Sequence, residues 1–401
     1  MACDAPATEP RWRWVLLGDG ESPHLLKWAQ ALHDSGAVEL WAASSRGFLP
    51  GFDACVPPHR RLALDHPMKV GGGNAALLRQ LPRLARWLKE VDADVLHPHY
   101  LTSHGTLAWL ARALWRLRAT IVSSAWGSDI LVAPRHRLVR AVTRRVLRAS
   151  ALCTSDSAHM ADAMRALGAR EVITFPFGLP SLPEPPDDAL REPWLVHANR
   201  GLEPIYRPGR VLDWFEALSR RQPLARLVVA HDGSAREAME RRCGEPGSPL
   251  QGRVRFVGHL DAAAQAGWYR RAGLFLSLPA SDSVSVSVLE AMAHGALPVL
   301  SDLPANRELV RHAVNGLIVA EGLVSQPGEG LDDRAFEALQ ALLARSADAR
   351  ADNRRWIAAN AVFPSAVARF LEAAGQRLPP PSARSGWVPG AAASASASPR
   401  P

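Results

Sequence analysis

Cysteine is scarce: Cys3, Cys55, Cys153 and Cys243 are spread over 401 residues, with no CxxC pair and no histidine cluster beside them. That spacing argues against a disulfide framework or a zinc site, and it fits a reducing compartment. Long apolar runs are missing too. The stretch VLLG at 15–18 is far shorter than the core of a secretory signal. No window approaches the roughly 20 apolar residues of a membrane span. A cytoplasmic protein is expected, with any attachment to the inner face of the cell membrane left to peripheral contacts. The dinucleotide fingerprint G-x-G-x-x-G is incomplete, because GDGESP at 18–23 carries only its first two glycines; an oxidoreductase reading is weak. No recognised nucleic-acid-binding module is present, and no nucleic-acid partner is expected.

What is present is a full hydrophobic complement, 47% of residues, and a formal net charge of +8. The length suggests two domains plus extras, and the charge favours anionic partners such as phosphorylated small molecules or a membrane surface. Strand patterns at 14–20, 38–44, 94–97, 120–124, 151–155 and 171–175 alternate with helical patterns at 24–36, 75–90, 104–117, 135–150 and 157–167. This is the rhythm of a parallel, doubly wound sheet. The segment FPFGLPSLPEPPDDALREP at 175–193 holds six prolines, so it is neither a helix nor a central strand. The alternation then restarts, with strands at 194–199, 226–233, 254–260, 273–279, 297–302 and 316–322, and helical patterns over 332–373. The fold class is α/β: two Rossmann-like domains, 12–182 and 194–355, facing each other across a cleft. A Pro-rich linker at 183–193 joins them. A C-terminal helix at 356–375 is expected to pack back on the first domain, and a disordered tail at 378–401 follows. Ligands belong at the carboxyl ends of the strands.

The most informative stretch is SDSVSVSVLEAMAHG at 281–295. Its serine–valine alternation has the period of a half-buried strand. It lies between two buried-type strands, however, and parallel neighbours need a crossover. The segment therefore reads as a loop feeding a helix, with Ser283 or Ser285 as N-cap and Gly295 at the end. The first amides of such a helix can hold a diphosphate. Glu290, one turn in, is better placed to accept hydrogen bonds from vicinal hydroxyls than to meet a phosphate.

Residues 281–319, SDSVSVSVLEAMAHGALPVLSDLPANRELVRHAVNGLIV, resemble the donor-site signature of GT-B glycosyltransferases of glycosyltransferase family 4, whose two acids are separated by seven residues. Asp282 and Glu290 stand at those two places. The resemblance extends over roughly 12–372. It implies a retaining transfer from a nucleotide sugar, UDP- or GDP-linked, to a glycan or lipid-linked acceptor in cell-surface polysaccharide or glycoconjugate synthesis, with no metal and no cofactor. It also implies that Glu290 binds the ribose and Asp282 the donor sugar, while Ser283, Val284, Ser285 and Val286 contact the diphosphate. VVAHDGSAREAMERRC at 228–243 resembles the family's strand and GDGP turn, giving Asp232 and Gly233. RVRFVGHL at 253–260 resembles the strand that would place Val257 and Gly258 beside the nucleobase. Arg200 matches the phosphate-binding arginine. The family's lysine position holds Ile205, and Arg207 is the nearest cation.

Three turns after strands of the first half carry acceptor-side candidates: Gly18, Asp19 and His24; His99 and Tyr100; and Trp126 with Asp129. The family often has His–Gly–x–Asp at the last place, where Trp126 precedes Gly127 here. Asp282, Glu290, His99 and Asp129 are the candidate catalytic residues. The helix at 135–150 carries arginines at 135, 137, 140, 144, 145 and 148, with an apolar stripe of Leu138, Val139, Val142, Val146 and Leu147. It reads either as a solvated face over the core or as a dock for anionic lipid headgroups. The departures at Asp282 and Ile205 also leave open a family member that has lost catalysis and serves as a binding subunit.

Overall fold

A computed structural model describes residues 11–66, 75–185, 187–320 and 331–382. Cys3 and the tail beyond residue 382 lie outside the described residues. Among those described there are two all-parallel sheets. The first runs β1 (Trp12–Gly18), β2 (Val38–Ser44), β3 (Arg61–Ala63), β4 (Val95–Pro98), β5 (Thr120–Ser124), β6 (Ser150–Ser155) and β7 (Val172–Thr174), in spatial order β3-β2-β1-β4-β5-β6-β7. The second runs β8 (Glu192–Ala198), β9 (Arg226–Val229), β10 (Val254–Phe256), β11 (Ala272–Ser277), β12 (Leu297–Ser301) and β13 (Leu317–Val319), in order β10-β9-β8-β11-β12-β13.

Helices cover both faces of each sheet, so its central strands are shielded on both sides: every residue of β11, AGLFLS, is buried. In both sheets the order reverses beside the first strand. Leu16 of β1 sits between Ala42 of β2 and His97 of β4, and Val196 of β8 sits between Leu227 of β9 and Leu274 of β11. Such switch points open crevices at the carboxyl ends of the strands.

The chain crosses between the halves twice, side by side. Leu179 N donates to the Ala361 carbonyl at 2.7 Å, and Phe363 N donates to the Leu179 carbonyl at 2.8 Å. Gly178 sits so close to this second crossing that a Cβ would overlap the Ala361 carbonyl. Lys27 donates to the Gly178 carbonyl and lies 4.6 Å from the centre of the Phe177 ring. After the second crossing, helix Phe363–Gly375 returns to the first sheet, where Phe370 meets Trp14 and Trp28 edge-on at 5.9 and 5.4 Å.

Several details differ from the sequence reading. β3 is a three-residue edge strand, too short for periodicity to register. The pattern at 75–90 divides into Ala75–Leu78 and Leu81–Val91, because Pro82 opens a new helix. The helical stretch at 332–373 is three helices, Asp333–Ala344, Ser346–Asn360 and Phe363–Gly375. The single helix expected at 356–375 is thus interrupted at the second crossing. Leu138, assigned to the buried stripe of its helix, is 84% exposed, and Thr143, Val146 and Leu147 are the buried positions. Residues 378–382 are not a loose tail: Leu378 is buried, Trp12 Nε1 donates to the Pro379 carbonyl at 2.8 Å, and Ser382 Oγ donates to Asp94 at 2.6 Å.

Candidate functional site

The carboxyl ends of both sheets open on one cavity of about 640 Å³. From the second half come Asn199, Arg200, Gly201, Glu203 and Tyr206 after β8, His231 and Asp232 after β9, and Asp282 to Ser287 with Glu290 after β11. From the first half come His24 at the start of helix Pro23–Asp34, Trp126 after β5, Ser155 and Asp156 at the end of β6, and Phe175 and Phe177 after β7.

The loop after β11 enters helix Val286–Ala293 through Ser285, which has the extended backbone of an N-cap, φ −75° and ψ 128°. Its hydroxyl does not bond the helix amides. Arg200 Nη1 donates to it, and it shares a 2.9 Å bond with the Ser287 hydroxyl. The first-turn amides therefore have no side-chain cap, at the end of the helix where the dipole favours an anion. Arg200 Nη2 pairs with Asp282 Oδ2 at 2.7 Å, and its guanidinium stacks 4.7 Å from the centre of the Tyr206 ring. Further along, the Tyr269 hydroxyl donates to Glu290 Oε2 at 3.1 Å and accepts from Asn199 Nδ2 at 2.7 Å. Burial raises the pKa of both acids. Arg200 opposes the shift at Asp282, and Tyr269 and Lys27 oppose it at Glu290. The Asn199 side-chain carbonyl and Arg200 Nε are buried and have no hydrogen-bond partner. One wall thus carries an arginine, an uncapped helix start, a carboxylate one turn on and two unsatisfied polar atoms.

Two family descriptions match successive parts of the chain: a glycosyl transferase 4-like domain over residues 19–178 and glycosyl transferases group 1 over residues 206–333. The chain is a GT-B glycosyltransferase of the family 4 type. Among relatives, the phosphatidyl-myo-inositol mannosyltransferase of Mycolicibacterium smegmatis is 27% identical over 313 residues, covering 75% of this chain and 77% of that one. In fold, this glycosyltransferase resembles Anabaena HepE in complex with UDP, with a TM-score of 0.67 at 15% identity over 91% of this chain and 100% of that one. It also resembles the sucrose-phosphate synthase of Thermosynechococcus elongatus, with a TM-score of 0.71 at 15% identity over 91% and 99% of the two chains.

The glycosyltransferase brings Arg200, Asp232, Asp282, Ser283, Val284, Ser285, Val286, Glu290, His24 and Trp126 to the cavity wall, and leaves the other candidates behind it. Val257 and Gly258 stand one layer out, next to His259, whose ring meets that of the cavity residue His231 at 4.3 Å. Gly233 backs the same wall, beside the Leu202 carbonyl. Arg207 caps helix Pro208–Arg221 with a left-handed φ of 50° and does not line the cavity. Gly18 packs on Leu25, while Asp19 folds over its own turn, accepting from Glu21 N at 3.0 Å.

His99 and Asp129, named as catalytic candidates, are fully buried behind Trp126. Trp126 Nε1 donates to His99 Nδ1 at 3.3 Å, and Trp126 N donates to Asp129 Oδ1 at 3.0 Å. Burial holds His99 neutral by lowering its pKa well below the ordinary value, and raises Asp129 to about 6. Their geometry makes them supports for Trp126. Tyr100 is likewise turned to the Ser128 hydroxyl, at 3.0 Å.

Sequence reasoning missed Asp156. It accepts from the Ser283 hydroxyl across the cleft, and Ser157 Oγ lies 3.0 Å from the same group. Asp156 ends a strand just as the other candidates do, so the rule that found them covers it too. Phe175 and Phe177 were missed because they open the proline-rich segment, whose composition points only to a linker.

Proposed function

We propose that this glycosyltransferase moves a sugar, with retention of anomeric configuration, from a UDP- or GDP-linked donor to a glycan or lipid-linked acceptor, and that it needs no metal. The observation carrying the proposal is the single wall holding Arg200, the uncapped start of helix Val286–Ala293 and Glu290. The diphosphate would sit on the helix amides and take Arg200 from Asp282, stabilising the leaving charge. Asp282, freed from that pair, would accept hydroxyls of the donor sugar, and Glu290 those of the ribose. Anabaena HepE, solved with UDP and with UDP-glucose, and the mannosyltransferase relatives, whose acceptor is phosphatidyl-myo-inositol by name, support this reading. The exposed arginines of helix Arg137–Ala149 support docking on an anionic inner membrane face beside a lipid-linked acceptor.

The test is thermal melting and donor turnover across a panel of nucleotide sugars. One of them should raise the melting temperature and release its nucleotide. Glu290→Ala should abolish both effects, chelation by EDTA should leave turnover unchanged, and NMR of the product should show the donor's anomeric configuration. A chain that no nucleotide or nucleotide sugar stabilises would refute the proposal.

A further inference from the structure

Tyr269 stands behind the wall that carries Glu290. It is the buried residue of helix Ala262–Arg271, 1% exposed, and it does not line the cavity, whereas Asn199 and Glu290 both do. Its hydroxyl has one proton to give. An ionised Glu290 can only accept, so that proton goes to Glu290 Oε2, at 3.1 Å. The Asn199 amide must then turn its NH₂ to the phenol oxygen, and Nδ2 lies there at 2.7 Å. The bonds run one way, from Asn199 through Tyr269 to Glu290. They tie the loop after β8 to helix Val286–Ala293.

The ring that carries this hydroxyl is held on three sides. His294 stacks on it at 5.9 Å with an interplanar angle of 14°. His197 and Phe275 meet it edge-on at 5.3 and 5.7 Å. Its backbone carbonyl accepts from Arg191 Nη1 at 3.5 Å. Burial, with the Glu290 charge beside it, lifts the phenol well above its ordinary pKa, so it stays a proton donor at physiological pH.

We infer that Tyr269 is a positioning residue for the nucleotide: it pins Glu290 by Oε2, leaves the other carboxylate oxygen as a rigid acceptor, and so makes the site select ribonucleotides over their deoxy analogues. A carboxylate free to turn can exchange a missing hydroxyl for water. A pinned and buried one cannot, and an analogue without the hydroxyl leaves its oxygen unpaired. Tyr269 acts through Glu290 and does not touch the nucleotide itself. This deepens the glycosyltransferase reading and rests on Glu290 facing the ribose.

Calorimetric titration of the full chain tests it, with UDP, GDP, and the 2′-deoxy and 3′-deoxy forms of whichever binds. The wild type should prefer the ribonucleotide to at least one deoxy form by roughly 10-fold or more, the range of a hydrogen bond to a charged group. Tyr269→Phe keeps the ring and removes only the hydroxyl; it should cut that preference to about 3-fold or less. Tyr269 and Lys27, from the first half, are the groups that oppose the upward shift of Glu290 by burial. The phenylalanine variant should therefore release nucleotide at a higher pH than the wild type as pH falls. Asn199→Asp keeps the side chain's shape but makes two carboxylates compete for the one phenol proton. It should lower the preference as well, and it serves if the phenylalanine variant does not fold. An unchanged preference in the folded variants overturns the inference, even where overall affinity drops, because a merely structural tyrosine would do that much. A wild type with no preference for the ribonucleotide overturns it too. In both cases loss of binding in Glu290→Ala leaves the donor reading standing. A chain that binds neither UDP nor GDP refutes both.

Discussion

At the residue scale, the decisive groups are carboxyls kept from their ordinary chemistry by burial. Asp156 is the clearest. Burial raises its pKa from 3.8 to about 7; the Ser283 and Ser157 hydroxyls oppose the shift, and Asp282 and Asp129 add to it. Between about pH 4 and pH 7 the folded protein therefore keeps a proton that the unfolded chain has released, and stability falls as pH rises through that window. Asp156→Asn keeps an acceptor for the Ser283 hydroxyl and removes the ionisation. It should melt above the wild type near pH 8 and together with it near pH 4, a comparison that thermal melts at matched ionic strength make directly. An Asn variant that melts no higher at the alkaline end would show that this carboxyl ionises at no cost. Legibility at this scale is uneven. Glu290 is readable because its spacing to a helix start fixes where it points, and Arg200 because the resemblance matches it to the family's phosphate-binding arginine. His99 and Asp129 look like cleft residues in the sequence because a strand end gives the loop's position but not which of its side chains turns outward.

At the scale of elements, topology rather than propensity settles the switch from strand-like alternation to helix at 281–295. β11 and β12 pair in parallel, with Leu274 opposite Leu297, so the intervening chain must cross over. The paired crossing is less legible. The prolines mark a boundary, but nothing local says that Leu179 lies beside Val362, far along the chain. Two glycines separate the cases. Gly178→Ala would drive a methyl group into the Ala361 carbonyl at the paired crossing and should cost about 1–3 kcal/mol, as overpacking does. Gly267 lies inside helix Ala262–Arg271, and a Cβ added there would meet nothing within 4 Å, so Gly267→Ala should stabilise by roughly 0.5–1 kcal/mol. Urea denaturation of both variants checks the pair. Equal effects would mean that the crossing yields more readily than its geometry indicates.

At the scale of the whole molecule, charge is sorted. The chain is basic by +8, yet among the described residues lining its cleft the carboxylates outnumber the Lys and Arg side chains by five to one, so the positive surplus lies elsewhere. The halves also meet through contacts that no local pattern reveals: besides the Ser283–Asp156 bond, Glu308 accepts from Ala158 N and His159 N at 2.8 Å each, at the start of helix Ala158–Leu167 in the other half. These join residues 127 to 150 positions apart, which is why the contacts across the cleft are invisible in the sequence while its two sheets are not. Part of the positive surplus is concentrated on helix Arg137–Ala149, where Arg137, Arg140, Arg144, Arg145 and Arg148 are exposed. Leu138 is 84% exposed beside them, a combination suited to an anionic interface because the leucine can insert where the arginines hold headgroups. At about 1 kcal/mol per basic residue near such a surface, Arg144→Glu combined with Arg145→Glu should weaken sedimentation with phosphatidylserine-containing vesicles by roughly 30-fold or more. Neutral phosphatidylcholine vesicles should bind neither protein, and rising salt should release the wild type. Binding that survives the double reversal at low salt would assign these arginines to solvation alone.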